Sequence, residues 1–212
     1  HIGGVRTALY SWLYARKNNG KFFLRIDDTD TSRSTDEFKD SIISALNQLG
    51  LKHDNEITYQ SQRFSHYIDK VEELLNRDLA YYDKVEKNEK TRETDLALVY
   101  DNRLNKDGHV IRFRNQRQNM INIIDSVHGE INFDPKVFFD VVILRSNGVP
   151  TYNLTSVVDD IDMGITHLIR GDDHLSNLPV QVNLFKSFEA NVPIFCHLPM
   201  IHGTDGKRLS KR

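Results

Sequence analysis

Apolar residues at Val5, Ala8, Leu9, Trp12 and Leu13 follow the i, i+3, i+4, i+7, i+8 spacing of an amphipathic helix, with Gly20 placed to end it. Residues 21–26 form a compact apolar run that predicts a strand, followed by the polar turn Asp27-Asp28-Thr29-Asp30. Ser34 and Glu37 have capping-box spacing, and Phe38, Ile42, Ala45, Leu46 and Leu49 supply one face of a second helix that Gly50 closes. Phe64, Ile68, Val71, Leu74 and Leu75 predict a third helix over residues 61–79.

The pattern changes near Tyr81. Residues 83–94 are charge-rich and aperiodic, and the stretches 109–114, 121–124, 130–133 and 137–144 read as strands, with turns at Gly129 and Asp134-Pro135. Alternation then returns: a buried strand over 165–170, a polar loop Gly171-Asp172-Asp173-His174, a helix that Pro179 opens, and a strand over 193–201. Strand–helix–strand logic interrupted by a mostly β segment predicts an α/β fold.

Composition adds bounds. The chain has 212 residues, 39% hydrophobic and 27% charged, enough for a full core. No apolar run approaches the ~20 residues of a membrane span. Cys196 is the single cysteine, which excludes an internal disulfide and a cysteine zinc cage and suits a reducing compartment. A net charge of −2 excludes a globally basic nucleic-acid binder. Between Arg103 and Arg117, however, five cations (Arg103, Lys106, Arg112, Arg114, Arg117) face one acid, Asp107. That stripe reads either as a phosphate-facing surface or as a solvated strand face.

His1-Ile2-Gly3-Gly4 opens the first helix, where free N–H groups and the helix dipole favour a phosphate. The chain closes on the cationic Lys207-Arg208-Leu209-Ser210-Lys211-Arg212. Each is weak alone. Together they resemble the HIGH-type and KMSKS-type motifs of class I aminoacyl-tRNA synthetases. The segments between narrow the resemblance to glutamyl-tRNA synthetases: Leu24-Arg25-Ile26-Asp27-Asp28-Thr29-Asp30, Pro150-Thr151-Tyr152-Asn153, Val157-Val158-Asp159-Asp160-Ile161-Asp162-Met163-Gly164, Ile169-Arg170-Gly171-Asp172-Asp173-His174-Leu175 and His197-Leu198-Pro199-Met200. It covers the chain apart from residues 83–97.

The resemblance implies a Rossmann-type nucleotide-binding domain with a parallel sheet, built from residues 1–80 and 151–212, and an inserted α+β domain over 81–150 that contacts the tRNA acceptor stem. It implies ATP-dependent ligation of glutamate to tRNA(Glu) through a glutamyl-adenylate, with Mg²⁺ accompanying ATP. By its motifs, His1, Gly3, Gly4, Arg208, Ser210 and Lys211 would hold ATP, with His1 and Lys211 catalytic. Asp27, Tyr152, Arg170 and His174 would line the glutamate pocket, and Arg103, Arg112, Arg114 and Arg117 would meet tRNA. A cytoplasmic or organelle-matrix monomer is expected, and a fragment of a longer enzyme, since the chain opens without methionine.

Bland readings stand beside these. Asp28 and Asp30 suit a polar turn, Tyr152 suits a core aromatic, and Asp159, Asp160 and Asp162 read as a structural turn before Gly164 rather than a metal site. The chain departs from the family at Asp27, usually glutamate, and at Arg208, usually lysine; it also lacks the zinc cysteines of some members. Alternatives are a glutaminyl-tRNA synthetase, whose turn usually reads D-D-T-N-P where this chain has Asp30-Thr31, a tRNA-modifying glutamyl-Q synthetase, and a non-catalytic nucleotide- or RNA-binding paralogue. The Ser210-Lys211 pair argues against the last.

Overall fold

The structure is a computed structural model that describes residues 2–29, 35–84, 103–106, 108–204 and 206. Five helices are present among these residues: α1 (Ile2–Lys17), α2 (Asp36–Gln48), α3 (Phe64–Asn76), α4 (Tyr152–Asp162) and α5 (Leu178–Ser187). The strands are β1 (Arg25–Ile26), β2 (Thr58–Tyr59), β3 (Ala80–Lys84), β4 (His109–Phe113), β5 (Ile121–Asp125), β6 (Gly129–Phe133), β7 (Val141–Leu144), β8 (His167–Gly171) and β9 (Ile194–Leu198). None of these helices is long and apolar enough to cross a membrane.

Strands and helices combine into a mixed α/β architecture. β1 and β2 pair in parallel across the α2 crossover, and β8 and β9 pair in parallel across α5. β3, β4 and β7 form an antiparallel sheet, with a register shift between Ile111 and Arg112. The largest sheet runs β6-β5-β9-β8, so β5 and β6, from the stretch 81–150, share it with β9 and β8.

Helix ends follow local chemistry. At α2 and α4 a glycine takes the left-handed conformation, Gly50 at φ 69° and Gly164 at φ 62°, and the next N–H reaches back into the last turn. Leu51 donates to the Leu46 carbonyl and Ile165 to that of Asp160, both at 2.9 Å, as in a Schellman cap. Asp159, Asp160 and Asp162 therefore lie in the last turns of α4, and the turn begins only after them. At α1 the reversal falls on Asn19, at φ 52°, and Gly20 donates to the Ala15 carbonyl. Ser34 lies outside the described residues; α2 begins after Thr35, whose side chain makes no cap bond.

The strand expected over 21–26 is reduced to its last two residues. Phe22 and Leu24 donate their N–H groups to the side chains of Asp54 and Asn55, at 2.8 and 2.9 Å, instead of to a neighbouring strand. One core packs α3, β3, β4, β7, α4 and α5 around Tyr67, Phe113, Leu154 and Phe185. A second joins Ile121, Phe138, Leu178 and Phe195, and a third joins Leu24, Ile26, Leu46 and Leu51. The carboxyl ends of β1, β8 and β9 converge where α1 begins.

Candidate active site

A cleft of about 1470 Å³ opens between α1, β1 and β8, and Gly4, Asp27, Arg170, His174 and Met200 lie on its wall. In open α/β sheets, ligands bind at the carboxyl ends of parallel strands, and this cleft lies there. Gly3 and Gly4 belong to the first turn of α1 and line the cleft. A Cβ on Gly4 would meet nothing within 4 Å, so the backbone there is open to an incoming group. Arg6 donates to the Pro199 carbonyl, tying the start of α1 to the segment after β9.

Asp27 follows β1 directly and is paired within its own segment. Its two carboxylate oxygens accept from Arg25 Nε at 2.7 Å and Nη2 at 3.3 Å. Arg25 Nη1 donates in turn to Asp160 at 2.8 Å. Burial pushes the Asp160 carboxyl up to about 6, against the pull of Arg25. A chain Asp27–Arg25–Asp160 thus joins β1 to α4 along the cleft.

Tyr152 opens α4, and its hydroxyl lies 3.1 Å from His174 Nδ1 with the rings 5.4 Å apart. Burial, with Asp27 and Asp160 adding to it, raises the Tyr152 pKa despite Arg170 and Arg25, so the phenol stays protonated. His174 sits in the 3₁₀ turn Asp172–Asn177 that follows β8. A Cβ on Gly171 would fall 2.5 Å from Asp173 Oδ1, so a larger residue there would displace that carboxylate. The charges of Arg170, Asp27, Arg25 and Asp160 all act on Tyr152, so the structure brings these residues near one another.

Arg170, near the end of β8, is only 8% exposed. Its Nε donates to His197 Nε2 at 3.0 Å, and its guanidinium lies 5.7 Å from the centre of the Phe195 ring. Nη2 is buried and makes no hydrogen bond among the described residues. A buried guanidinium N–H without an acceptor is costly, and an anion in the cleft would supply one. His197, on β9, donates through Nδ1 to Asp125 at 2.7 Å, and both side chains are fully buried. Sequence reasoning used His197 only as part of a motif and passed over Asp125. The available signal was a histidine inside the otherwise apolar run Ile194–Leu198.

The remaining expected residues divide. His1, Arg208, Ser210 and Lys211 lie outside the described residues. The four arginines of the basic stripe are described, and each has an acidic neighbour. Arg103 meets Asp69 and Glu72, Arg112 meets Asp83, Arg114 meets Asp78 at 3.3 Å, and Arg117 meets Asp140 at 2.9 Å. The Arg114 guanidinium also lies 4.5 Å from the centre of the Tyr81 ring. Asp28 is a structural group: buried, it accepts from the Ser61 N–H and hydroxyl and pairs with Lys39 at 2.9 Å. Asp159 is wholly buried and accepts from Gln60, Arg63 and Tyr67. Among the described residues no group of three or more His, Cys, Asp or Glu is arranged to hold a metal ion.

Known proteins share this architecture. A glutamate–tRNA ligase of Francisella tularensis (strain SCHU S4 / Schu 4) is 48% identical over 226 residues, covering 100% of this chain and 48% of the relative. One from Legionella pneumophila is 47% identical over 227 residues, with the same coverage. The crystal structure of a glutamate tRNA ligase from Elizabethkingia meningosepticum, in complex with its amino acid, matches with a TM-score of 0.84 at 30% identity, over 100% of this chain and 49% of that one. The chain spans about half the length of the curated relatives it matches. A family model described as tRNA synthetases class I (E and Q), catalytic domain, matches residues 1–212, and the chain belongs to that family.

Proposed function

We propose that this chain carries the active site of a glutamate–tRNA ligase, which activates glutamate with ATP and passes it to tRNA(Glu). The observation that carries the reading is Arg170 Nη2, buried at the cleft without an acceptor among the described residues. A guanidinium fork suits a carboxylate, and a carboxamide would offer it only one acceptor and no charge. This favours glutamate over glutamine. The names of the relatives and of the solved structures support the same substrate.

The chemistry follows from the arrangement. Glutamate sits with its side-chain carboxylate on Arg170 and its ammonium toward Asp27, whose charge is shared with Arg25. Tyr152, kept as a phenol, and His174 hold the substrate between them. ATP lies with its phosphates at the start of α1, where Gly4 leaves space for an incoming group. The α-carboxylate attacks the α-phosphorus, the bond to the β-phosphate oxygen breaks, and pyrophosphate leaves. His1, Arg208, Ser210 and Lys211 neutralise charge as it departs, the roles their motifs imply. A ribose hydroxyl of the tRNA 3′ end then attacks the adenylate carbonyl, releasing AMP.

Mg²⁺ enters with ATP and, when bound, neutralises phosphate charge; the described residues offer it no cage of their own. The halves 1–80 and 151–212 supply a Rossmann-type domain, and the inserted stretch 81–150, which shares a sheet with it through β5 and β6, meets the acceptor stem through Arg103, Arg112, Arg114 and Arg117. The protein works as a monomer in the cytoplasm or an organelle matrix. Pyrophosphate exchange into ATP, run with glutamate and with glutamine on the full-length protein, tests the reading.

A further inference from the structure

We propose that His197, held by Asp125, is the positioning residue that sets the guanidinium of Arg170 in the carboxylate-binding orientation. The inference rests on the reading of Arg170 as the glutamate side-chain site. Three residues from three neighbouring strands form one line: Asp125 on β5, His197 on β9 and Arg170 on β8. Asp125 Oδ2 lies 2.7 Å from His197 Nδ1, and His197 Nε2 lies 3.0 Å from Arg170 Nε.

The proton positions on this line are determined by its ends. Asp125 also accepts from the backbone N–H groups of Val127 and His128, at 2.9 and 3.0 Å, and from that of His197. Those donors, with the imidazole, hold its carboxyl below the usual carboxylate range in spite of burial, so it is an acceptor only. His197 Nδ1 must therefore carry the proton. At the other end Arg170 Nε can only donate, so Nε2 must present its lone pair. The imidazole is neutral, in one tautomer, and a second proton would drive N–H against N–H. Burial, partly offset by Asp125, lowers the His197 pKa in the same direction.

The result is a guanidinium held at Nε by His197 and also hydrogen-bonded to Tyr152. With Nε held by His197 and the plane carried over Phe195, Nη2 is left without an acceptor among the described residues. An arginine side chain otherwise samples many rotamers, and ordering it on binding weakens the complex. The Asp125–His197 pair removes that freedom before glutamate arrives, so it acts on substrate affinity through geometry and touches no reacting atom. It also gives β5, from the stretch 81–150, a direct part in the glutamate site.

Substitution separates the two bonds of the imidazole. In His197→Gln the amide oxygen reaches the Nε2 position and keeps the acceptor for Arg170. In His197→Asn the amide reaches only the Nδ1 position and keeps the donor for Asp125. In the full-length protein, His197→Asn should raise the glutamate KM in pyrophosphate exchange by roughly tenfold or more, and the ATP KM by less than about twofold. His197→Gln should recover most of the glutamate KM. Equal impairment of both variants, or equal change in both substrates, would overturn His197's role while unaltered-protein exchange still supported the functional reading. Absence of exchange in the unaltered protein with tRNA present would overturn that reading and this inference with it. Independently of any variant, ¹⁵N spectra of histidine-labelled protein should show one histidine with protonated Nδ1 and unprotonated Nε2. If no histidine of that tautomer is found, the positioning role fails.

Discussion

Arg25, in β1, and Asp160, in α4, meet at 2.8 Å across 135 positions of sequence on the wall of the cleft. The bond joins the strand that precedes Asp27 to the helix that opens with Tyr152, so an ion pair ties together the two sides of the proposed amino-acid site. Because Asp160 is almost fully buried, the pair sits in a medium where charge is costly unless matched.

That burial has a pH signature. The Asp160 carboxyl, pushed up to about 6 mainly by desolvation, keeps a proton in the folded chain that the unfolded chain releases near 3.8. Within that window the folded state binds more protons, so this group favours folding at the lower pH and the advantage is lost as pH rises through about 6. Asp160→Asn removes the titration. Urea unfolding of both proteins should give a stability difference that changes between pH 4 and 6 and is flat above it. A difference constant across that window would contradict the assignment.

Asp159 has the opposite character, a structural hub with no place in the chemistry. It accepts from Gln60 at 2.8 Å, Arg63 at 2.9 Å and the Tyr67 hydroxyl at 2.9 Å, and so clamps α4 to α3 and the turn before it. Asp159→Ala strands three donors and should cost about 3–5 kcal/mol. Asp162→Ala, on a partly exposed pair with Arg63 and His66, should cost below about 1 kcal/mol. Denaturant midpoints of the two variants decide it, and similar losses would be inconsistent with a buried hub.

These two aspartates mark where the sequence was readable and where it was not. Periodicity located α1, α2 and α3, and Pro179 marked α5; of the three periodic helices only α3 buries most of its apolar stripe, whereas α2 buries Leu46 alone and α1 no residue. Periodicity missed α4, whose last turns carry Asp159, Asp160 and Asp162. The partners that make those carboxylates acceptable inside a helix come from Arg25, Gln60, Arg63 and Tyr67, about a hundred positions away, and no local pattern encodes them. Two-residue β2 is likewise too short to have a period. In the site, motifs named Tyr152, Arg170 and His174, all of which converge. His197 and Asp125 escaped because their pairing spans 72 positions, and the structure alone brings β5 beside β9.

Asp27 gives a prediction about the substrate ammonium. Its carboxylate is already bonded to Arg25, yet it remains partly exposed at the cleft. Asp27→Asn should weaken glutamate binding by roughly 1–3 kcal/mol and leave ATP affinity nearly unchanged. Calorimetric titration of each ligand checks this. Equal weakening of both would mark Asp27 as a turn residue that only braces Arg25.

The basic stripe is open to a salt titration. Each phosphate contact contributes roughly 0.7–0.9 to the slope of log affinity against log salt. Neutralising Arg112 and Arg114 together should flatten the slope for tRNA binding by about one to two units. Both arginines have acidic neighbours, Asp83 and Asp78, that could instead satisfy them completely. A double variant with unchanged affinity and slope would return the stripe to a solvated strand face.

The central claim is that Arg170 selects a carboxylate, and exchange of labelled pyrophosphate into ATP tests it most directly. The full-length protein, with tRNA present, should catalyse exchange with glutamate and discriminate strongly against glutamine. Arg170→Lys, which keeps the charge but loses the fork, should raise the glutamate KM at least tenfold with little change in the ATP KM. Exchange that glutamine supports as well as glutamate, or an Arg170→Lys variant with unaltered glutamate KM, would contradict the account.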